Sequence, residues 1–201
     1  MVTFGEIDAS ETAAWRDAVN AGRERRYSWT HLVLFLLSRA LPKHPLLNAA
    51  LVNEEIRVYS EVNLGMAINR PDGALLVPVI HGAGELSLDQ IAQRADELAA
   101  KTRDNALGVP DMVNGTFTLS SYGTLTAVRW GSSIINPPQS GILGVGRVEQ
   151  KPVVREGQIV ARWLLPFSLT YDHRVVNGMP AMEMMETISA MLRQPEATFQ
   201  G

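Results

Sequence analysis

Before Pro180 the chain reads Tyr171-Asp172-His173-Arg174-Val175-Val176-Asn177-Gly178, an imidazole between a carboxylate and a guanidinium with an amide four residues on. Histidine titrates close to neutral pH, so an imidazole displayed here suits general acid–base work. The cluster closes a long apolar, β-branched run and precedes a helix start, an edge at which reactive side chains are often presented. A plainer reading stands beside it. Asp172 and Arg174 would form a surface pair, His173 would pack beneath them, and Asn177 would cap the helix. As a cap, Asn177 replaced by alanine should cost about 1 kcal/mol.

Other candidates yield to structural readings. Of the four histidines, His31 falls in the first turn of a buried helix, His44 in a Pro-flanked turn and His81 at the start of a Gly-rich loop. None stands at metal-ligand spacing from another, and no metal site is expected. The Gly141-Ile-Leu-Gly144-Val-Gly146 run departs from G-x-G-x-x-G and opens no helix, so it reads as a buried strand with close backbone approach. The methionines Met179, Met182, Met184, Met185 and Met191 of the last helix recur at helical spacing and read as core.

The elements that must hold these residues follow from patterning. The 201 residues are 46% apolar and 19% charged, a globular composition long enough for one domain spanning 1–201. The net charge is −3, and the 15 Arg and 3 Lys are scattered apart from Arg23, Arg25 and Arg26, which beside Glu24 read as a solvated turn more than a nucleic-acid footprint. With no cysteine there is no disulfide, thiolate metal site or cysteine nucleophile. The start lacks a signal-peptide pattern, and the apolar run Leu32–Leu37 is far short of the ~20 residues that span a bilayer. A cytoplasmic protein without membrane contact is expected.

A strand is predicted over Val2–Asp8, then a helix capped by Ser10, running through Ala21 and stopped by Gly22. A helix apolar nearly all round runs from Trp29 or Thr30 to Leu41 and ends at Pro42. Strands follow at Glu55–Tyr59, Val62–Asn69 and Ala74–Ile80, the last two joined by a Pro71-Asp72-Gly73 turn. Ser87-Leu88-Asp89-Gln90 is a capping box. Further strands are predicted at Thr116–Ser120, Gly141–Val148 and Gln158–Thr170. The closing helix starts near Asn177 with Met182, Met185, Ile188 and Leu192 on one stripe. Without strict βαβ alternation, this is an α/β protein, a two-layer sandwich on a mixed sheet.

Four ordered blocks carry a resemblance. They are Pro45-Leu46-Leu47-Asn48-Ala49; Asn63-Leu64-Gly65-Met66-Ala67 with Pro71-Asp72-Gly73 and Val77-Pro78; Gly115-Thr116-Phe117-Thr118-Leu119-Ser120-Ser121-Tyr122-Gly123 with Asn136-Pro137-Pro138; and the His173 stretch. Together they resemble the catalytic domain of the dihydrolipoamide acyltransferases of 2-oxoacid dehydrogenase complexes, whose signature is D-H-R-x-x-D-G. The resemblance covers nearly the whole chain and implies a chloramphenicol acetyltransferase-like fold.

It further implies acyl transfer between the thiols of coenzyme A and dihydrolipoamide, with His173 as general base and Ser120 donating to the tetrahedral oxyanion. The two would meet across a subunit boundary in a homotrimer, with dihydrolipoamide supplied by a separate lipoyl domain. No lipoyl or peripheral-subunit-binding domain is expected in this chain, since Lys43, Lys101 and Lys151 never stand in Asp-Lys-Ala. Asn177 replaces the family's usual aspartate; positioning without charge is the expected role. The chain lacks the basic helical segment that commonly precedes the first strand in the family, so a cut-out core or a free-standing relative is implied. Phe199 is the one apolar candidate for the anchor by which relatives build cages, and a larger cage is left open. A non-catalytic trimeric scaffold, or an acetyltransferase with a hydroxyl or amine acceptor, are the alternatives.

Overall fold

The computed structural model describes residues 1–200. The chain order is β1 (Val2–Asp8), α1 (Ser10–Asn20), α2 (Trp29–Ala40), β2 (Ala49–Val52), β3 (Glu55–Val58), β4 (Leu64–Asn69), β5 (Leu75–Leu76), β6 (Val79–Ile80), α3 (Leu88–Arg103), β7 (Phe117–Ser121), β8 (Gly141–Val145), β9 (Glu149–Arg155), β10 (Gln158–Tyr171), α4 (Gly178–Leu192) and α5 (Pro195–Phe199). Eight strands form one mixed sheet in the order β1-β10-β8-β7-β4-β5, with β6 on β4 and β9 on β10, while β2 and β3 form a separate hairpin. Strands β4, β7 and β8 are parallel; β10 runs antiparallel to β8.

The helices cover one face of the large sheet, because alternate strand residues are apolar. Leu119, Leu143, Val145, Leu165, Phe167 and Leu169 face the core with Leu32–Leu37 of α2. On the opposite face, Ser168 Oγ donates to the Gly131 carbonyl at 2.5 Å, so the segment after β7 lies across it. Helix α2 is buried along most of its length, as its all-round apolar sequence predicts.

Several expectations are corrected. Ser10 is the first residue of α1 and not its cap: its Oγ donates to Asp8 Oδ1 and accepts from the Trp163 N–H, tying the helix start to β10. The single strand foreseen over Ala74–Ile80 is two, β5 and β6, because Pro78 brings no N–H to the ladder. Strands β2 and β9 were not foreseen; β9 hides behind Pro152 and its charged residues. In α4 the buried face is Ala181, Met184, Met185, Ile188 and Leu192, so Met182 moves to the margin and Met179 is 71% exposed. Phe199 is buried in its own chain, stacked on Trp15 at 4.8 Å and packed on Phe35 at 5.6 Å, and is unavailable as an anchor.

Candidate active site

The His173 loop is built on Tyr171, the buried last residue of β10, paired with Gly141 at the start of β8. Phe117 lies where a side chain on Gly141 would project, at 2.7 Å from an added Cβ, so glycine lets these strands pack. The next residue, Asp172, organises the turn. Its N–H donates to the Ser140 carbonyl at 2.8 Å, and its own carbonyl receives the N–H groups of Val175 and Val176 at 2.9 Å. Its carboxylate receives the Arg174 N–H at 3.0 Å and the guanidinium at 2.6 Å, and these bonds hold the Asp172 carboxyl below its ordinary range. Ser140 is itself fixed through its hydroxyl, which lies 2.9 Å from the Leu46 carbonyl and 3.0 Å from that of Leu47.

This frame contains the surface pair of the plainer reading, but His173 is not packed beneath it. The imidazole is exposed, with its ring centre 6.0 Å from that of Tyr171. Asn177 occupies the N-cap position of α4, yet its side chain makes no capping bond and faces solvent. The amide expected to stabilise the helix is free for another use.

Ser120 stands in β7 between Ala67 of β4 and Gly144 of β8. It alternates with the buried Leu119, so it lies half-buried on the sheet face away from the helices. An added Cβ on Gly144 would strike Ser168 Oγ and stand 3.1 Å from the Tyr122 ring. Ser121 points the other way and accepts from Thr30 Oγ1 at 3.3 Å.

Within one chain Ser120 and His173 are not brought together. Ser120, Gly144 and Ser168 form one row across three strands, and β10 then runs three residues further to Tyr171. That is ~10 Å along the strands and ~10 Å across them, about 14 Å in all before the His173 turn begins. Because β10 opposes β7 in direction, their carboxyl ends lie at opposite ends of the sheet.

The other histidines are structural. His31 Nδ1 lies 3.3 Å from the Ser28 N–H and completes a capping box, while Nε2 faces Asp96 Oδ1 at 3.1 Å. His44 meets Thr187 at 2.8 Å and His81 the Pro110 carbonyl at 3.0 Å. Sequence reasoning did not find Ser140, or the buried bond from Thr118 Oγ1 to Gln139 Oε1 at 2.6 Å. Their signal was the Asn136-Pro137-Pro138-Gln139-Ser140 run, of which only the first part was used.

Comparison with known proteins decides the family. The profile of the 2-oxoacid dehydrogenases acyltransferase (catalytic domain) matches residues 1–200. The chain belongs to this family. It is 36% identical, over 96% of its length and 49% of the relative's, to the dihydrolipoyllysine-residue acetyltransferase component of the acetoin cleaving system of Bacillus subtilis. Identity is 29%, over 97% of the chain and 48% of the relative, to the succinyltransferase component of the 2-oxoglutarate dehydrogenase complex of Haemophilus influenzae. The chain thus spans about half the length of these curated relatives.

Among solved structures, the Azotobacter vinelandii dihydrolipoamide acetyltransferase superposes with a TM-score of 0.90 at 32% identity, covering 98% of this chain and 83% of that one. In that enzyme a serine, a histidine and an asparagine were investigated for their role in the catalytic mechanism. The cubic core of a pyruvate dehydrogenase multienzyme complex gives a TM-score of 0.90 at 33% identity, covering 98% and 83%. Chloramphenicol acetyltransferase shares the fold, with a TM-score of 0.64 at 17% identity over 96% of this chain and 87% of that one. The expected fold class therefore holds.

Proposed function

We propose that this chain transfers an acyl group between the thiols of coenzyme A and dihydrolipoamide, in a site completed by a neighbouring copy. The observation that carries the reading is the His173–Asn177 pair, exposed at the end of β10 in a chain matched by the acyltransferase family along residues 1–200. The Azotobacter enzyme supports it, because its investigated histidine and asparagine are spaced as these two are. An asparagine among that relative's investigated residues supports a role for the amide of Asn177 beside His173.

An ordinary thiol with a pKa near ~8.5 is mostly protonated at pH 7, so attack needs a base. His173 takes the proton from the attacking thiol as its sulfur bonds to the thioester carbonyl carbon. The carbonyl π pair moves onto oxygen, and Ser120 of the neighbouring copy donates a hydrogen bond to the resulting oxyanion. Collapse re-forms the carbonyl, breaks the other C–S bond, and the departing thiolate recovers the proton from the imidazolium. No protein nucleophile takes part, so a chain without cysteine suffices. Asn177 orients the imidazole or the bound thiol through its unengaged amide, without adding charge.

The names of the relatives specify a dihydrolipoyllysine residue, which supports a lipoyl arm on another domain as the partner. A homotrimer is the proposed unit: the separation of His173 from Ser120 supports a shared site, and a cubic relative has three-fold axes at its corners. The test is transfer from acyl-coenzyme A to free dihydrolipoamide, followed by mass spectrometry of the acylated acceptor. His173→Ala should lower the rate by about 10²–10⁴. Folded wild-type trimer that transfers nothing refutes the reading.

A further inference from the structure

Ser120 belongs to a row that crosses four strands on the sheet face away from the helices: Ser120 of β7, Gly144 of β8, Ser168 of β10 and Phe4 of β1. Residues 129–133 pass over the middle of that row. Ser168 Oγ donates to the Gly131 carbonyl, and Ser133 Oγ stands 3.3 Å from where a Cβ on Gly144 would project. The next residue, Ile134, is 91% exposed. The chain then returns to Gln139, whose side chain accepts from Thr118 Oγ1, two residues before Ser120 and on the same face. Phe4 and Trp130 are half-exposed toward the other end of the row. Trp130 is held in place, because Lys151 Nζ lies 5.3 Å from its ring centre and pairs with Glu6 of β1.

Single exposed apolar side chains are ordinary, but these three surround a serine whose proposed chemistry needs a histidine. His173 of the same chain lies beyond a separation of about 14 Å, so the imidazole that reaches Ser120 comes from a second copy. The surface around Ser120 must then receive the surface around that copy's His173. On that second surface Asp172 and Arg174 neutralise one another, and Asn177 is exposed without a capping bond. Met179, in the first turn of α4, is 71% exposed, and its flexible thioether chain adapts to an irregular apolar wall. Because the two surfaces differ, contact is head-to-tail, and each copy in a closed ring uses both.

We propose that Ile134, Trp130 and Phe4 form the seat on which the next copy's His173 loop docks, with that copy's Met179 as its apolar contact. This rests on the proposed transfer and names the surfaces that close its site. The chain has no cysteine, so single introduced cysteines report on burial without background. Ile134→Cys, Met179→Cys and the control Val109→Cys are labelled with a maleimide in the native assembly and in urea. Val109, in the connection from α3 to β7, is 77% exposed. In the native trimer the first two should label about tenfold more slowly than Val109→Cys, and in urea all three alike. Ile134→Asp alters a side chain that its own chain leaves in solvent, so it should keep the fold by circular dichroism. It should weaken association at least about 100-fold, by leaving an unpaired carboxylate in the joint, and lose transfer in step. A transferring wild-type trimer whose Ile134→Cys variant labels as fast as Val109→Cys overturns this surface, and so does a fully active trimer of Ile134→Asp. Either leaves acyl transfer standing. Protected cysteines in a trimer that transfers nothing to dihydrolipoamide refute the transfer and not the surface.

Discussion

If one copy supplies His173 and its neighbour Ser120, two inactive variants should repair each other. The row from Ser120 through Gly144 to Ser168, and the run on to Tyr171, separate the groups by about 14 Å in one chain, against the ~3 Å proton transfer requires. Alone, His173→Ala should lose about 10²–10⁴ in rate, and Ser120→Ala about 10²–10³. Co-expressed with two affinity tags and purified through both, the mixed trimers contain sites with both groups intact. A site works only where a His173→Ala chain presents Ser120 to a Ser120→Ala chain presenting His173. Each mixed trimer, two chains of one kind and one of the other, has that pairing at one of its three interfaces, so activity should recover to about a third of wild type. The assay is acyl transfer at saturating donor, normalised to trimer measured by native mass. Activity no higher than the average of the two parent variants would refute the shared site.

Asn177→Ala should change urea stability by less than about 0.5 kcal/mol, because its side chain makes no capping bond, while transfer falls. A loss of about 1 kcal/mol would restore it as a cap. His31 has its pKa lowered, chiefly by burial, against the opposing pull of Asp96. The unfolded chain therefore takes up that proton first, so stability should decline as pH falls below about 6.5 and level off once folded His31 titrates. His31→Gln keeps a capping-box acceptor and should flatten that decline in pH-dependent denaturation. Phe199→Ala should cost about 3–5 kcal/mol in chain stability through its stack on Trp15, read by thermal melting. If melting is unchanged and only assembly is lost, Phe199 is an anchor after all.

The amino-acid sequence by itself determined whatever depends on neighbours along the chain. Leu32–Leu37, apolar on every side, could only be a buried helix, and Ser87 with Gln90 capped α3 as the capping-box rule requires. The spacing of Gly141 and Gly144 announced a buried strand with close backbone approach, and the tertiary structure supplied Phe117 and Ser168 as what approaches. His173 and Asn177 were found because a charged, amide-bearing cluster at a strand-to-helix edge is a local pattern, read together with the motif blocks. The tertiary structure alone decided how distant strands run beside one another. Only the antiparallel pairing of β10 with β8, next to the parallel pairing of β8 with β7, puts His173 and Ser120 at opposite ends of one sheet. Whether Asn177 bonds its own helix, and whether Phe199 turns inward onto Trp15, are likewise settled by groups far away in sequence. Local propensity acts through a few consecutive residues, whereas register and packing are fixed by contacts the linear pattern does not contain.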